Sequence, residues 1–263
     1  MSLTDNTARW PHPVYDATRL PHVLFIITPP FSGSTAIAGL LNTSPRTMLL
    51  QERGEGQWLV PGLCENDRWD GNKEVDYESV RAVWLNCWQQ AALANPHIDV
   101  VIEKSPPNMV RLDALATLFP DHSLLANNRD PYANCASILY RNHPAAQLGT
   151  AERQHLLRGL ASDWQQRSMK IRELVCRLDI PLLTYEEFCD NPASIIARLE
   201  LPAGVAETID VHAQVKVKDY PMQGIANQNR RQIDLLSDEE LMAISHVLAT
   251  DLELLDFFSY EIA

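Results

Sequence analysis

Apolar positions along this chain fall into short continuous runs separated by longer amphipathic stretches. Val23 to Ile27, Asp99 to Glu103, His122 to Asn127 and Ile180 to Thr184 are apolar runs of strand length, and Arg46 to Leu50 reads as a further short strand. Runs without polar alternation are expected of strands covered on both faces. Between them the spacing turns helical. Val80, Val83, Trp84, Cys87 and Trp88 form a stripe within 77–93, residues 111–118 form a short helix, and 151–178 form a long amphipathic one. Trp58 to Leu63 also reads as helix. Pro131 opens a helix through Tyr140, with Asp130 as its N-cap. Ser237 and Glu240 have capping-box spacing and open a last helix to Leu248. A turn and helix follow Thr184, and 205–235 shows no clear period. Strands alternating with helices predict a three-layer α/β fold, a central parallel sheet flanked by helices. Residues 1–20 read as an irregular arm. No repeat or linker is visible, so 1–263 is read as one domain.

Composition narrows the class. No apolar run is long enough to span a bilayer, and no leader peptide precedes the first strand. The five cysteines are scattered, without a disulfide or zinc pattern, and the eight histidines show no metal spacing, so no metal is expected and a reducing cytoplasm fits best. The net charge of −12 argues against nucleic acid or an anionic membrane as partner, and disfavours a heavily anionic polymer as substrate. It leaves room for an anionic small ligand held by a few arginines.

Two places suit such a ligand. Pro29 to Thr35 joins the first strand to the first helix through Ser32, Gly33, Ser34 and Thr35. A small-residue loop at a helix N-terminus aims backbone N–H groups and the helix dipole at an anion. The loop is not a Walker A motif, because Ser34 stands where the lysine would be. Arg129 ends a strand, and Ser137 follows eight residues later in a helix, so a guanidinium fork and a hydroxyl can meet on a terminal phosphate. Pairing of Arg129 with a neighbouring carboxylate is the alternative.

Together these segments resemble the sulfotransferases that use 3′-phosphoadenosine 5′-phosphosulfate (PAPS). Pro30-Phe31-Ser32-Gly33-Ser34-Thr35 resembles their 5′-phosphosulfate loop, and Arg129-Asp130-Pro131 with Ser137 resembles their 3′-phosphate motif. Glu103-Lys104-Ser105-Pro106 and Tyr185-Glu186-Glu187-Phe188 resemble two further family segments. The resemblance implies a fold like that of P-loop NTPases and metal-independent, in-line transfer of a sulfuryl group to a hydroxyl or amine of a small-molecule or carbohydrate acceptor. It implies that Ser32 to Thr35 hold the phosphosulfate, that Arg129 and Ser137 bind the 3′-phosphate, and that Tyr185 lies beside the adenine. The family usually has Arg or Lys at the position of Phe31, and Lys104 is the candidate replacement cation. For the base, Glu52 is favoured over Glu55. Arg230 or Arg231, in a late basic segment, would add a second cation to the 3′-phosphate. Trp58 belongs either to the core or to an acceptor pocket. Two alternatives stay open: an inactive protein binding PAP or PAPS, and a small-molecule P-loop kinase.

Overall fold

The computed structural model describes residues 19–217 and 220–263; most of the expected N-terminal arm lies outside them. Five strands form one parallel sheet: β1 (His22–Ile27), β2 (Thr47–Leu49), β3 (Val100–Glu103), β4 (His122–Asn128) and β5 (Leu182–Thr184). Their spatial order is β2-β3-β1-β4-β5. From β1 the chain goes to the far edge at β2, returns through β3 beside β1, and then crosses to β4 and β5 on the other side. The crevice outside the carboxyl end of β1, between β3 and β4, is therefore the topological switch point where α/β sheets take ligands.

The continuous apolar runs have the expected cause. Along β1, Val23, Phe25 and Ile27 enter one hydrophobic cluster while Leu24 and Ile26 enter another on the opposite face. The first cluster is covered by α2 (Tyr77–Ala94), α3 (Leu112–Leu118), α4 (Pro131–Asn142), α5 (Thr150–Leu178) and α9 (Asp238–Leu248). The second is covered by α1 (Ser34–Leu41), α6 (Tyr185–Asp190) and α7 (Ser194–Ala197). The three-layer parallel α/β architecture read from the sequence is the one observed. Both expected caps form: Asp130 accepts the Ala133 N–H at the start of α4, and Ser237 with Glu240 closes the box that opens α9. No helix among the described residues is long and apolar enough to cross a membrane.

Some expectations need correction. Trp58 to Leu63 is not an α-helix but one 3₁₀ turn (Gly56–Leu59), ended by an extended Val60 and by Pro61 and Gly62, whose φ is 89°. The chain after Thr184 splits into α6 and α7, broken at Asn191-Pro192. Residues 205–235 include a short α8 (Asn229–Ile233) and an isolated bridge between Val215 and Gln223. After α9 comes α10 (Leu252–Phe257), capped by Asp251, a helix the sequence pattern did not reveal.

On α2, Val80, Trp84, Trp88 and Ala92 form the buried stripe. Trp84 stacks on Phe119 with centroids 5.5 Å apart, and its indole N–H donates to the Gly56 carbonyl at 3.1 Å. Trp84 thus anchors the 51–58 loop as well as the core. Trp84→Ala is expected to lower unfolding free energy by about 3–5 kcal/mol in denaturant titration, the range for emptying a buried aromatic site.

Candidate functional site

The loop after β1 is fixed by its neighbours. Thr28 donates to the Asn127 side chain of β4 at 2.9 Å. The Asn134 amide of α4 donates to the Pro30 carbonyl at 2.8 Å and to Ser32 Oγ at 3.2 Å. Phe31 (φ 64°) and Gly33 (φ 85°) both take left-handed backbone conformations. At Gly33 a side chain is excluded twice: the φ disfavours it, and a Cβ would lie 2.3 Å from Tyr185 Cδ2. The helix α1 then starts at Ser34 with no side-chain cap and no acidic residue in its first turn. Its first N–H groups and the positive end of its dipole are left for an anion. Phe31, Gly33, Ser34 and Thr35 line a cavity of about 740 Å³, while Ser32 is fully buried behind it.

Arg129 and Ser137 line the same cavity. The Arg129 guanidinium is held by three neutral acceptors: the Phe31 carbonyl at 3.1 Å, Asn229 Oδ1 at 2.8 Å and Gln232 Oε1 at 2.8 Å. It also lies 4.2 Å from the centroid of the Tyr185 ring. The alternative of a direct carboxylate pair is not what forms. Asp130 instead caps α4, and Glu186 accepts from the Asp130 backbone N–H. Burial pushes the arginine pKa down, against the opposing pull of Tyr185, Glu186 and Asp130. A buried cation whose charge is met by dipoles is suited to receive an anion. Tyr185, sandwiched between Gly33 and Arg129, also accepts the Gln228 N–H and donates to the Ala226 carbonyl, so it ties the late segment to the loop.

The third part of the cavity is built around Glu103. Its carboxyl is fully buried and accepts from the backbone N–H groups of Gly56 and Ser105, the Ser105 hydroxyl and the Asn108 amide. Burial pushes its pKa up, and the hydrogen bonds only partly offset this. The Lys104 N–H donates to the Gly54 carbonyl at 2.7 Å, and Ser105 Oγ accepts the Gln57 N–H. Segment 103–105 therefore clamps segment 54–57. The result is a contact that neither segment reveals alone: Lys104 Nζ lies 2.8 Å from Glu55 Oε1, with the lysine side chain 2% and the glutamate 21% exposed. Trp58 Nε1 donates to the other oxygen of Glu55 at 2.8 Å, and Gln57 adds a longer bond. Burial pushes the Glu55 pKa up, but the Lys104 charge and these hydrogen bonds outweigh it, leaving Glu55 below the usual carboxylate value.

Glu52 also lines the cavity, but it is exposed, whereas Glu55 is the carboxylate in contact with Lys104. Arg230 and Arg231 do not reach the cavity. Arg230 is 91% exposed and pairs with Asp234, while its helix presents Asn229 and Gln232 inward to Arg129. On one short helix, adjacent residues face different ways, which a count of basic residues does not capture. Sequence reading also missed Asn134 and Glu103 as organisers of the site, since buried asparagine and glutamate carry no spacing signal.

A profile of the sulfotransferase family matches residues 21–208. None of the curated proteins compared matches the chain. Among solved structures, a sulfotransferase from Alicyclobacillus acidocaldarius superposes with a TM-score of 0.54 at 11% identity, covering 92% of this chain and 97% of that one. Sulfotransferase STF9 from Mycobacterium avium superposes with a TM-score of 0.53 at 16% identity, covering 93% and 78%. At such identities these structures speak for the fold, and the family match, which spans most of the chain, speaks for membership. The chain belongs to the sulfotransferase family.

Proposed function

We propose that this protein transfers a sulfuryl group from PAPS to a hydroxyl or amine of a small-molecule or carbohydrate acceptor. One observation carries the reading: the phosphate-type loop, the Arg129–Ser137 pair and the Lys104–Glu55 pair all line one cavity. Its volume suits a nucleotide and a small acceptor together. The uncapped start of α1 fits the 5′-phosphosulfate, and the dipole-solvated Arg129 with Ser137 fits the 3′-phosphate. Tyr185, between Gly33 and Arg129, then braces both anion sites rather than serving only as a wall for adenine.

In this reading Glu55 takes the proton from the acceptor as its oxygen or nitrogen bonds to sulfur and the sulfur–oxygen bond to the phosphate breaks. Lys104 supplies the positive charge that Phe31 does not, stabilising the phosphate oxygen released. Its movement toward that oxygen relieves Glu55 of its ion pair and raises the basicity of the carboxylate as transfer proceeds. A second reading, a protein that binds PAP without turnover, is favoured by Phe31 and by the tightness of the Lys104–Glu55 pair. The absence of a loop lysine disfavours the kinase alternative, which requires preference for Mg-ATP over PAP.

Incubation with PAPS and an acceptor library, with PAP release as readout, tests the leading reading. Absence of both PAPS binding and PAP release overturns it; tight PAP binding without turnover selects the second reading. In calorimetric titration, Arg129→Ala is expected to weaken PAP binding by about tenfold or more, the scale of a lost charge-assisted contact. Arg230→Ala is expected to leave binding within about twofold, as for an exposed, screened charge.

Glu55→Gln is expected to cut kcat by roughly 100-fold or more, while Glu52→Gln stays within a few-fold. The acid limb of kcat/KM falls below the ordinary glutamate range, because Glu55 is held ionised there. Lys104→Ala is expected to lower kcat by roughly 100-fold and shift that limb upward, since burial then dominates the carboxylate. The sign for stability is the same. The pair contributes above the unfolded pKa of Glu55, and the contribution is lost as pH falls through the depressed folded value.

A further inference from the structure

The described wall of the cavity beyond Glu55 is rich in arginine, although the chain is acidic. The protein has a net charge of −12. Among the described residues, its cavity is nevertheless lined by Arg53, Arg68, Lys104, Arg129, Arg141 and Arg167 together with Glu52, Glu55 and Asp163. Lys104 is taken up by Glu55 and Arg167 by Asp163, and Arg129 belongs to the phosphate end. Arg68 is held differently. Its guanidinium carbon lies 5.7 Å from the centroid of the Trp58 ring, and its recorded hydrogen bond is a long one, 3.4 Å, to the Glu65 carbonyl. The acids beside it in sequence are engaged elsewhere: Glu65 and Asp67 both pair with Lys73.

A cation–π contact holds a guanidinium near a ring without using up its N–H donors, which remain able to bind a planar anion. The same Trp58 donates its indole N–H to Glu55 at 2.8 Å. Arg68 and the carboxylate read as the base therefore share Trp58 as a neighbour on the wall of one cavity. A second cation–π contact, Arg167 at 4.6 Å from the Trp69 ring centroid, lies on the same wall. A neutral acceptor filling this end would strip water from Arg68 without replacing it, which is unfavourable for a charge.

We propose that the acceptor is a small hydroxylated molecule bearing its own carboxylate, which docks on Arg68 while the hydroxyl lies at Glu55. The proposal rests on the sulfotransferase reading of the cavity. It agrees with the acidic balance of the chain, which leaves room for a small anion, because contact with a fixed arginine outweighs a screened distant field.

The test uses three matched probe pairs: 4-hydroxybenzoate, 4-hydroxyphenylacetate and quinate, each against its methyl ester. Binding to PAP-saturated protein is followed by quenching of tryptophan fluorescence, and PAP release from PAPS is measured in parallel. At least one acid is expected to bind roughly 10- to 100-fold tighter than its ester, as for a desolvated charge-assisted contact. Arg68→Gln is expected to abolish that preference, and Arg68→Lys to retain part of it. PAP affinity, unchanged in both variants, reports that they are folded. Esters binding as well as acids, no saturable binding of any acid, or a preference that survives in Arg68→Gln overturns the proposal. Failure of the wild-type protein to bind PAP counts instead against the donor reading, and the acid-over-ester comparison is then read on the protein alone.

Discussion

The buried guanidinium of Arg129 is the constraint on which the rest of the site depends. It bonds to the backbone of the loop at Phe31, stacks on Tyr185 of α6 and is held by Asn229 and Gln232 of α8. Segments far apart in sequence are thus oriented around one charge. Desolvating a guanidinium is costly unless its donors are satisfied, so each of these acceptors must be in place for the fold to be stable there. The same need explains why Gly33 has no side chain: Tyr185 must pass over it to reach the arginine.

A second buried ionisable group, Glu103, does comparable work on the other side of β1. It has no cationic partner of its own among its hydrogen bonds, and its four donors draw Gly56, Ser105 and Asn108 together. Its neighbour Lys104 then meets Glu55. Buried carboxylates of this kind are retained for the geometry they impose more than for stability, since their desolvation is only partly offset. The position of Glu55 is therefore a consequence of Glu103, which is why the sequence named Glu55 as a candidate but could not rank it above Glu52.

How legible the protein was follows from the range of the interactions concerned. Strands β1, β3 and β4 and helices α2, α4 and α5 were readable because burial on a fixed face imposes a local period. The loop at 29–35 and the spacing of Arg129 to Ser137 were readable because strand–turn–helix geometry is local too. The short turn at Gly56–Leu59 was misread because an apolar run beside Trp58 satisfied a helical pattern while Pro61 and Gly62 prevented one. Arg230 and Arg231 drew attention as charges, although Asn229 and Gln232 on the same turn make the contacts.

By itself the sequence determined the parallel α/β architecture, the small-residue loop before the first helix and the order of its motifs, because periodicity and turn chemistry act over a few residues. Only the tertiary structure decided that Lys104 and Glu55 form one unit, that Tyr185 lies between Gly33 and Arg129, and that Arg68 lines the cavity beside Trp58. Those outcomes depend on which strand ends lie side by side and on which buried charges must be satisfied. Both are set by packing across the sheet, over distances along the chain that no local pattern spans.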